Sequence, residues 1–195
     1  MENIAVTGFE NAKIEDVETL LEELQKIEKT HSTTIQLFNS DLIATKQHLY
    51  ISAYHALKAF KEKRNIADKI NMEIMLYASG QRQIGKAISL LGVKPENKQI
   101  AAIIITKEKK DDDNNNKNSK DHKNVIKKLL QLLKAKESQK VLEITEKKRN
   151  IILKKFNITE KMLEATAKEK TEKALNKAIT ELILEKIALL ALEKA

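Results

Sequence analysis

The 195-residue chain has no cysteine, no tryptophan, one proline, four glycines, four phenylalanines and three tyrosines. Without thiols it can form neither disulfides nor thiolate metal sites. Four scattered glycines give no dinucleotide fingerprint, and no nucleophile elbow is present. So few aromatic rings limit base stacking as a binding device. No apolar run approaches the roughly 20 residues of a membrane span. The opening "MENIAVTGFE" lacks the basic-then-apolar layout of a secretory leader. These absences direct expectation to a soluble cytoplasmic protein, one domain over 1–195, with no membrane segment and no metal.

Charge is plentiful and uneven. The formal net charge is +8. Residues 1–44 hold three Lys against nine acids, residues 45–98 ten Lys or Arg against four, and residues 125–195 seventeen against ten. A basic middle beside an acidic first helix permits a polyanion site on one face.

Periodicity organises the chain. "NIAVTGF" reads as a first strand, and Ile14, Val17, Leu20, Leu21, Leu24 and Ile27 mark an amphipathic helix. "TTIQLFN" reads as a strand; Leu49, Ala53, Ala56, Leu57 and Phe60 then recur at helical spacing. "MEIMLYA" at Met72–Ala78 is expected to be a third strand, followed by a helix stopping near Gly92, and "QIAAIIIT" a fourth. Lys107–Asn124 has no apolar residue and reads as a disordered insertion over 107–124, because it cannot offset its ordering entropy by burial. Helices are expected from Val125, Glu146 and Thr159, with "KVLEI" as a short strand. A last helix opens with "TAKE" at Thr166–Glu169, a capping box. That helix carries one apolar face of Leu175, Ile179, Leu182, Ile183, Ile187 and Leu190, interrupted by Lys186, which would snorkel. A second stripe runs through Leu184, Ala188 and Leu192. Its partner is either the protein's own core or another chain.

Between Gly80 and Lys86 lies G-x-x-x-x-G-K, one residue short of a nucleotide-binding P-loop. Ala87 stands where a hydroxyl would ligate magnesium. Gln81, Arg82, Gln83 and Ile84 are bulky for a loop curled around phosphate. No fixed carboxylate ends the following strand, since Asp111–Asp113 fall in the polar tract. The start of the helix still suits an anion, through free amides, the Arg82 fork and Lys86. His48 and His55 share one helix, while His31 and His122 show no partner in the sequence. No spacing supports zinc or a carboxylate pair for acid–base chemistry. Glu73, inside an apolar run, faces either a basic neighbour or solvent.

"ATKQH" at Ala44–His48, "MEIMLYASGQRQI" at Met72–Ile84 and "ELILEKIALLAL" at Glu181–Leu192 carry a resemblance. The chain resembles the small-subunit family of the KEOPS complex that includes the human PRPK-binding protein, TPRKB, in its archaeal form. The resemblance implies an α+β two-layer sandwich. In it, a small, mostly antiparallel or mixed sheet of four to five strands is covered by helices, the last of them long. It implies a non-catalytic regulatory subunit without cofactor, whose partners are the atypical kinase/ATPase of that complex and tRNA. The complex makes threonylcarbamoyladenosine, and archaeal members hold the unpaired 3′ CCA end of tRNA. On these sequence grounds the RNA-binding candidates are Lys46, His48, Arg64, Ser79, Gly80, Gln81, Arg82, Gln83 and Lys86. The kinase-facing candidates are Leu184, Ala188 and Leu192. The competing readings are a pure protein-interaction module and a degenerate P-loop nucleotide-binding protein.

Overall fold

In the computed structural model, residues 2–107 and 115–192 are described. The elements run β1 (Glu2–Glu10), α1 (Val17–His31), β2 (Thr33–Asn39), α2 (Lys46–Lys61), α3 (Ile70–Ser79), α4 (Ile84–Leu91), β3 (Gln99–Lys107), α5 (Asn115–Leu132), β4 (Lys136–Glu137), α6 (Glu146–Lys155), α7 (Glu160–Thr166) and α8 (Glu172–Leu192). The strands form one antiparallel sheet in the order β2-β3-β1-β4. The expected α+β class and long C-terminal helix hold.

The sheet is covered on both faces because its strands alternate cleanly. On β3, Ala101, Ile103 and Ile105 enter one core, and Ile100, Ala102 and Ile104 the other. The smaller core is closed by α1 and α5, through Leu20, Leu24, Val125, Leu129 and Leu133. The larger core receives α2, α3, α4, α6, α7 and α8. Helix starts follow their caps. Side-chain oxygens of Asp16, Thr45, Thr145 and Thr159 accept the amides of Thr19, His48, Lys148 and Met162.

Gly8 marks a close approach. A Cβ there would sit 2.1 Å from Val141 Cγ2 and 2.7 Å from the Ser138 carbonyl. Gly8→Ala is therefore expected to cost about 1–3 kcal/mol, read as a lower urea midpoint with unchanged slope; an unshifted midpoint would show that this contact yields freely.

Four expectations are corrected. Met72–Ala78 is not a strand: it forms most of α3, where Glu73 through Ser79 are all buried. A helix wrapped by neighbours on every side reads as a continuous apolar run, just as a central strand does. The tract 107–124 is in part ordered: Lys107 ends β3, and α5 begins at Asn115. His122 is buried, its Nε2 3.2 Å from Thr106 Oγ1, and it opens the stripe continued by Val125, Leu129 and Leu133. Residues 108–114 of that tract lie outside the described residues. "KVLEI" is not a strand, since Gln139–Leu142 makes a 3₁₀ turn after β4. Finally, α8 is capped by Thr171, whose hydroxyl accepts the Ala174 amide, whereas Thr166 ends α7.

Candidate nucleic-acid interface

The candidate site is built at one end of the α2–α3 hairpin. The two helices run antiparallel, so the first turn of α2 lies beside the last turn of α3. His48 fixes that junction. It is wholly buried; its Nδ1 accepts the Ala44 amide at 3.3 Å, and its Nε2 lies 2.8 Å from the Ala78 carbonyl. Both contacts are satisfied by the neutral ring with its proton on Nε2. Burial holds the imidazole pKa down at about 4, although the Ala78 bond opposes the shift; nearby Lys148 adds to the lowering. Lys148 is itself buried against the Val141 carbonyl at 2.8 Å, and desolvation pulls it down to about 8.

Immediately after Ala78 the chain turns. Gly80 takes a left-handed conformation (φ 61°), and its amide bonds back to Tyr77. A Cβ on Gly80 would come within 3.6 Å of Lys186 Cβ, so α8 passes close over the turn. Between them is a cleft of about 230 Å³. One wall is Ser79, Gly80, Gln81 and Arg82; the second is Lys155, Phe156 and Asn157 at the end of α6; the third is Lys186, Leu189 and Leu190 on α8. Three cationic side chains, Arg82, Lys155 and Lys186, meet there over an apolar floor of Phe156 and Leu190.

The remaining sequence candidates divide. Gln83, which caps the start of α4, and Lys86, on its first turn, are exposed and lie outside the cleft lining. Lys46, exposed at the start of α2, lines a second, open depression of about 700 Å³ with Gln47, Ile144, Asn176 and Leu184. Arg64 follows the far end of α2, beside Glu62. A 16-residue helix spans about 24 Å, so Lys46 and Arg64 do not share one patch. His48 touches no solvent, so direct contact with RNA is corrected to a positioning role: it anchors the residue before Ser79. Lys155 and Lys186 were missed. The signal for Lys186 was its intrusion into the apolar face of α8, and nothing in the sequence singled out Lys155.

Gly80 also follows a helix, not a strand. The strand–loop–helix context of a phosphate loop is therefore absent, and the P-loop reading loses its structural support. Among the described residues no three His, Asp or Glu side chains converge on a metal position, and no helix is long and apolar enough to cross a membrane.

On α8, Ile179, Leu182, Ile183, Ile187 and Leu190 are buried, as one apolar face requires. Of the second stripe, Leu184 is half-buried, whereas Ala188 and Leu192 are exposed, the latter by 69%. Leu189 beside them is 51% exposed. The end of α8 thus offers an apolar surface adjoining the basic cleft.

This arrangement can be set beside known proteins. Residues 10–191 match the family model described as "Kinase binding protein CGI-121". The "Regulatory protein Cgi121" of Methanocaldococcus jannaschii is 31% identical over 159 residues, covering 82% of this chain and 84% of the relative. A match across nearly the whole fold, including the turn, both cleft helices and α8, makes this chain a member of the kinase-binding CGI-121 family.

Proposed function

We propose that this chain is the non-catalytic regulatory subunit of a KEOPS-type complex. It docks on the atypical kinase/ATPase and activates it, and it recruits tRNA for threonylcarbamoyladenosine formation through the unpaired 3′ CCA end. The observation that carries the RNA half is the meeting of Arg82, Lys155 and Lys186 over Phe156 and Leu190. Phosphates of a single strand pair with the cations, and exposed base edges and faces rest on the apolar floor and on the polar groups of Ser79 and Gln81. Lys86, on the first turn of α4, extends the positive potential along the same edge. Nothing in this arrangement breaks a covalent bond; the cleft holds and orients.

Kinase docking is assigned to the exposed end of α8, at Leu184, Ala188 and Leu192. An apolar surface beside a basic cleft allows one element to hold the kinase while its neighbour presents RNA, and membership of a kinase-binding family supports a kinase partner.

The deciding measurement is tRNA affinity with and without the terminal CCA. Removal of the tail is expected to weaken binding by about hundredfold or more, since the phosphate contacts to Arg82, Lys155 and Lys186 leave with it. Equal affinity for both RNAs would sink the CCA assignment. Kinase capture that persists in that case would leave the protein-interaction reading standing.

A further inference from the structure

The outward face of α2 carries a pattern that the cleft does not use and that meets the kinase surface only at its start, where Lys46 and Gln47 share a depression with Leu184. Lys46, Tyr50, Tyr54 and Lys58 succeed one another at four-residue spacing, and Lys61 and Gln47 fall within the same arc. The opposite side of the helix is buried through Leu49, Ser52, Ala53, Ala56 and Ala59. Tyr50 and Tyr54 are 45% and 52% exposed, the only exposed aromatic rings among the described residues. Tyr54 stands edge-on to His55, their centroids 5.6 Å apart, which fixes the ring against the helix. No residue of α2 within the stripe is acidic; Glu143 and Glu181 line the depression beside Lys46 at one end, and Glu62 stands just past the other, 4.0 Å from Lys58.

Two of the chain's seven Phe and Tyr side chains are thus spent on solvent, between lysines, in a protein otherwise short of aromatic rings. Burial explains them only in part, because about half of each side chain faces solvent. Solvation explains the lysines but not the tyrosines. Two exposed rings flanked by cations over about 22 Å of helix form a stacking platform with phosphate contacts on either side, the design of single-stranded nucleic-acid surfaces. The stripe also begins where the cleft's supporting junction begins, since the first turn of α2 contains His48, which anchors Ala78.

We infer that the Lys46–Lys61 face of α2 is a second RNA-binding surface, which takes an unpaired, backbone-accessible RNA segment by stacking its bases on Tyr50 and Tyr54. The inference extends the proposed recruitment of tRNA but rests on different residues, so the two can fail separately.

The test uses the full-length chain and two RNAs, intact tRNA and the same tRNA lacking its CCA tail, titrated over a range of salt. Tyr50→Ala/Tyr54→Ala is expected to weaken binding of both RNAs about tenfold or more with little change in salt slope. Tyr50→Phe/Tyr54→Phe should retain affinity, because the ring and not the hydroxyl does the stacking. Lys58→Gln/Lys61→Gln should lower the salt slope by about 1–2. All three pairs are exposed, so unchanged thermal melting shows that folding is not the cause. Cleft substitutions, by contrast, should erase only the difference between the two RNAs. Wild-type RNA binding by the alanine pair would overturn the inference, as would equal loss in the alanine and phenylalanine pairs. So would lost capture of the kinase with RNA binding intact, which would make this face a protein-docking surface.

Discussion

Replacing His48 with leucine is expected to destabilise the protein by about 2–5 kcal/mol, a large share of the roughly 5–15 kcal/mol typical of a domain. Leucine fills most of the volume but pairs with nothing. The Ala44 amide and the Ala78 carbonyl are then left buried without partners, each costing about 1–3 kcal/mol. The edge contact between the imidazole and Phe156, centroids 5.9 Å apart, is lost as well. His48→Gln keeps one of the two bonds and should fall between leucine and wild type. Urea denaturation reads the difference, and a leucine variant within about 0.5 kcal/mol of wild type would show that the bonds to His48 are replaceable.

The same residue sets an acid limit. Its folded pKa of about 4 lies below the ordinary imidazole value of 6.5. Above about pH 6.5 neither folded nor unfolded chain binds the proton, so the full benefit of the neutral ring is present. As pH falls towards 4, the unfolded chain takes up a proton that the native chain refuses, and stability drops by about 3 kcal/mol in all. Below pH 4 both states are protonated and this contribution no longer changes. The leucine variant should lack that slope between pH 6.5 and 4. Lys148 works in the basic range. With a folded pKa of about 8, below its unfolded value, it makes stability rise as pH climbs from 8 towards 10.5.

What was legible in the sequence divides by the range of the interaction involved. The strands β1, β2 and β3 and the helices α1, α2, α6 and α7 carry periodic patterns or caps within their own residues, and they form where those patterns lie. The α3 helix failed because its period is hidden: Ile74, Met75, Leu76, Tyr77 and Ala78 are all buried against different neighbours, which leaves no polar face. Glu73 held the missing clue. Its Oε2 accepts the amides of Ile66 and Ala67, at 3.0 and 2.8 Å, closing the α2–α3 loop. An acid inside an apolar run suggests a facing cation or solvent, whereas its partners here are backbone amides six and seven residues back, which a helix start brings within reach. The Ser79–Arg82 part of the cleft was legible because it is contiguous. Lys155 and Lys186 come from elements far along the chain, and only packing brings them to Gly80. Lys46 and Arg64 were grouped by sign of charge, but helix length separates them.

Removing the three cations of the cleft together, as Arg82→Gln/Lys155→Gln/Lys186→Gln, is expected to abolish the advantage of tailed over tail-less tRNA and to lower affinity for the tailed form about hundredfold or more. Each charge-assisted contact to a phosphate contributes about 1–3 kcal/mol where water is excluded. Three such contacts exceed the roughly 3 kcal/mol that a hundredfold represents. Glutamine retains the first two methylenes of Arg82 and Lys186, including the Lys186 Cβ that lies over Gly80, so the packing of α8 there survives and melting temperature should move little. Arg82→Lys discriminates further: it keeps the charge but loses the planar fork, and only a two-pronged phosphate contact would suffer from that exchange. The kinase surface supplies the internal control. Leu192 is exposed and outside the cleft lining, so Leu192→Asp should reduce kinase capture and leave the tail preference intact, because the cleft's cations and its apolar floor of Phe156 and Leu190 are untouched. If the triple glutamine variant still prefers tailed tRNA, the cleft is not where the CCA end binds, and the positive potential there serves some other anion.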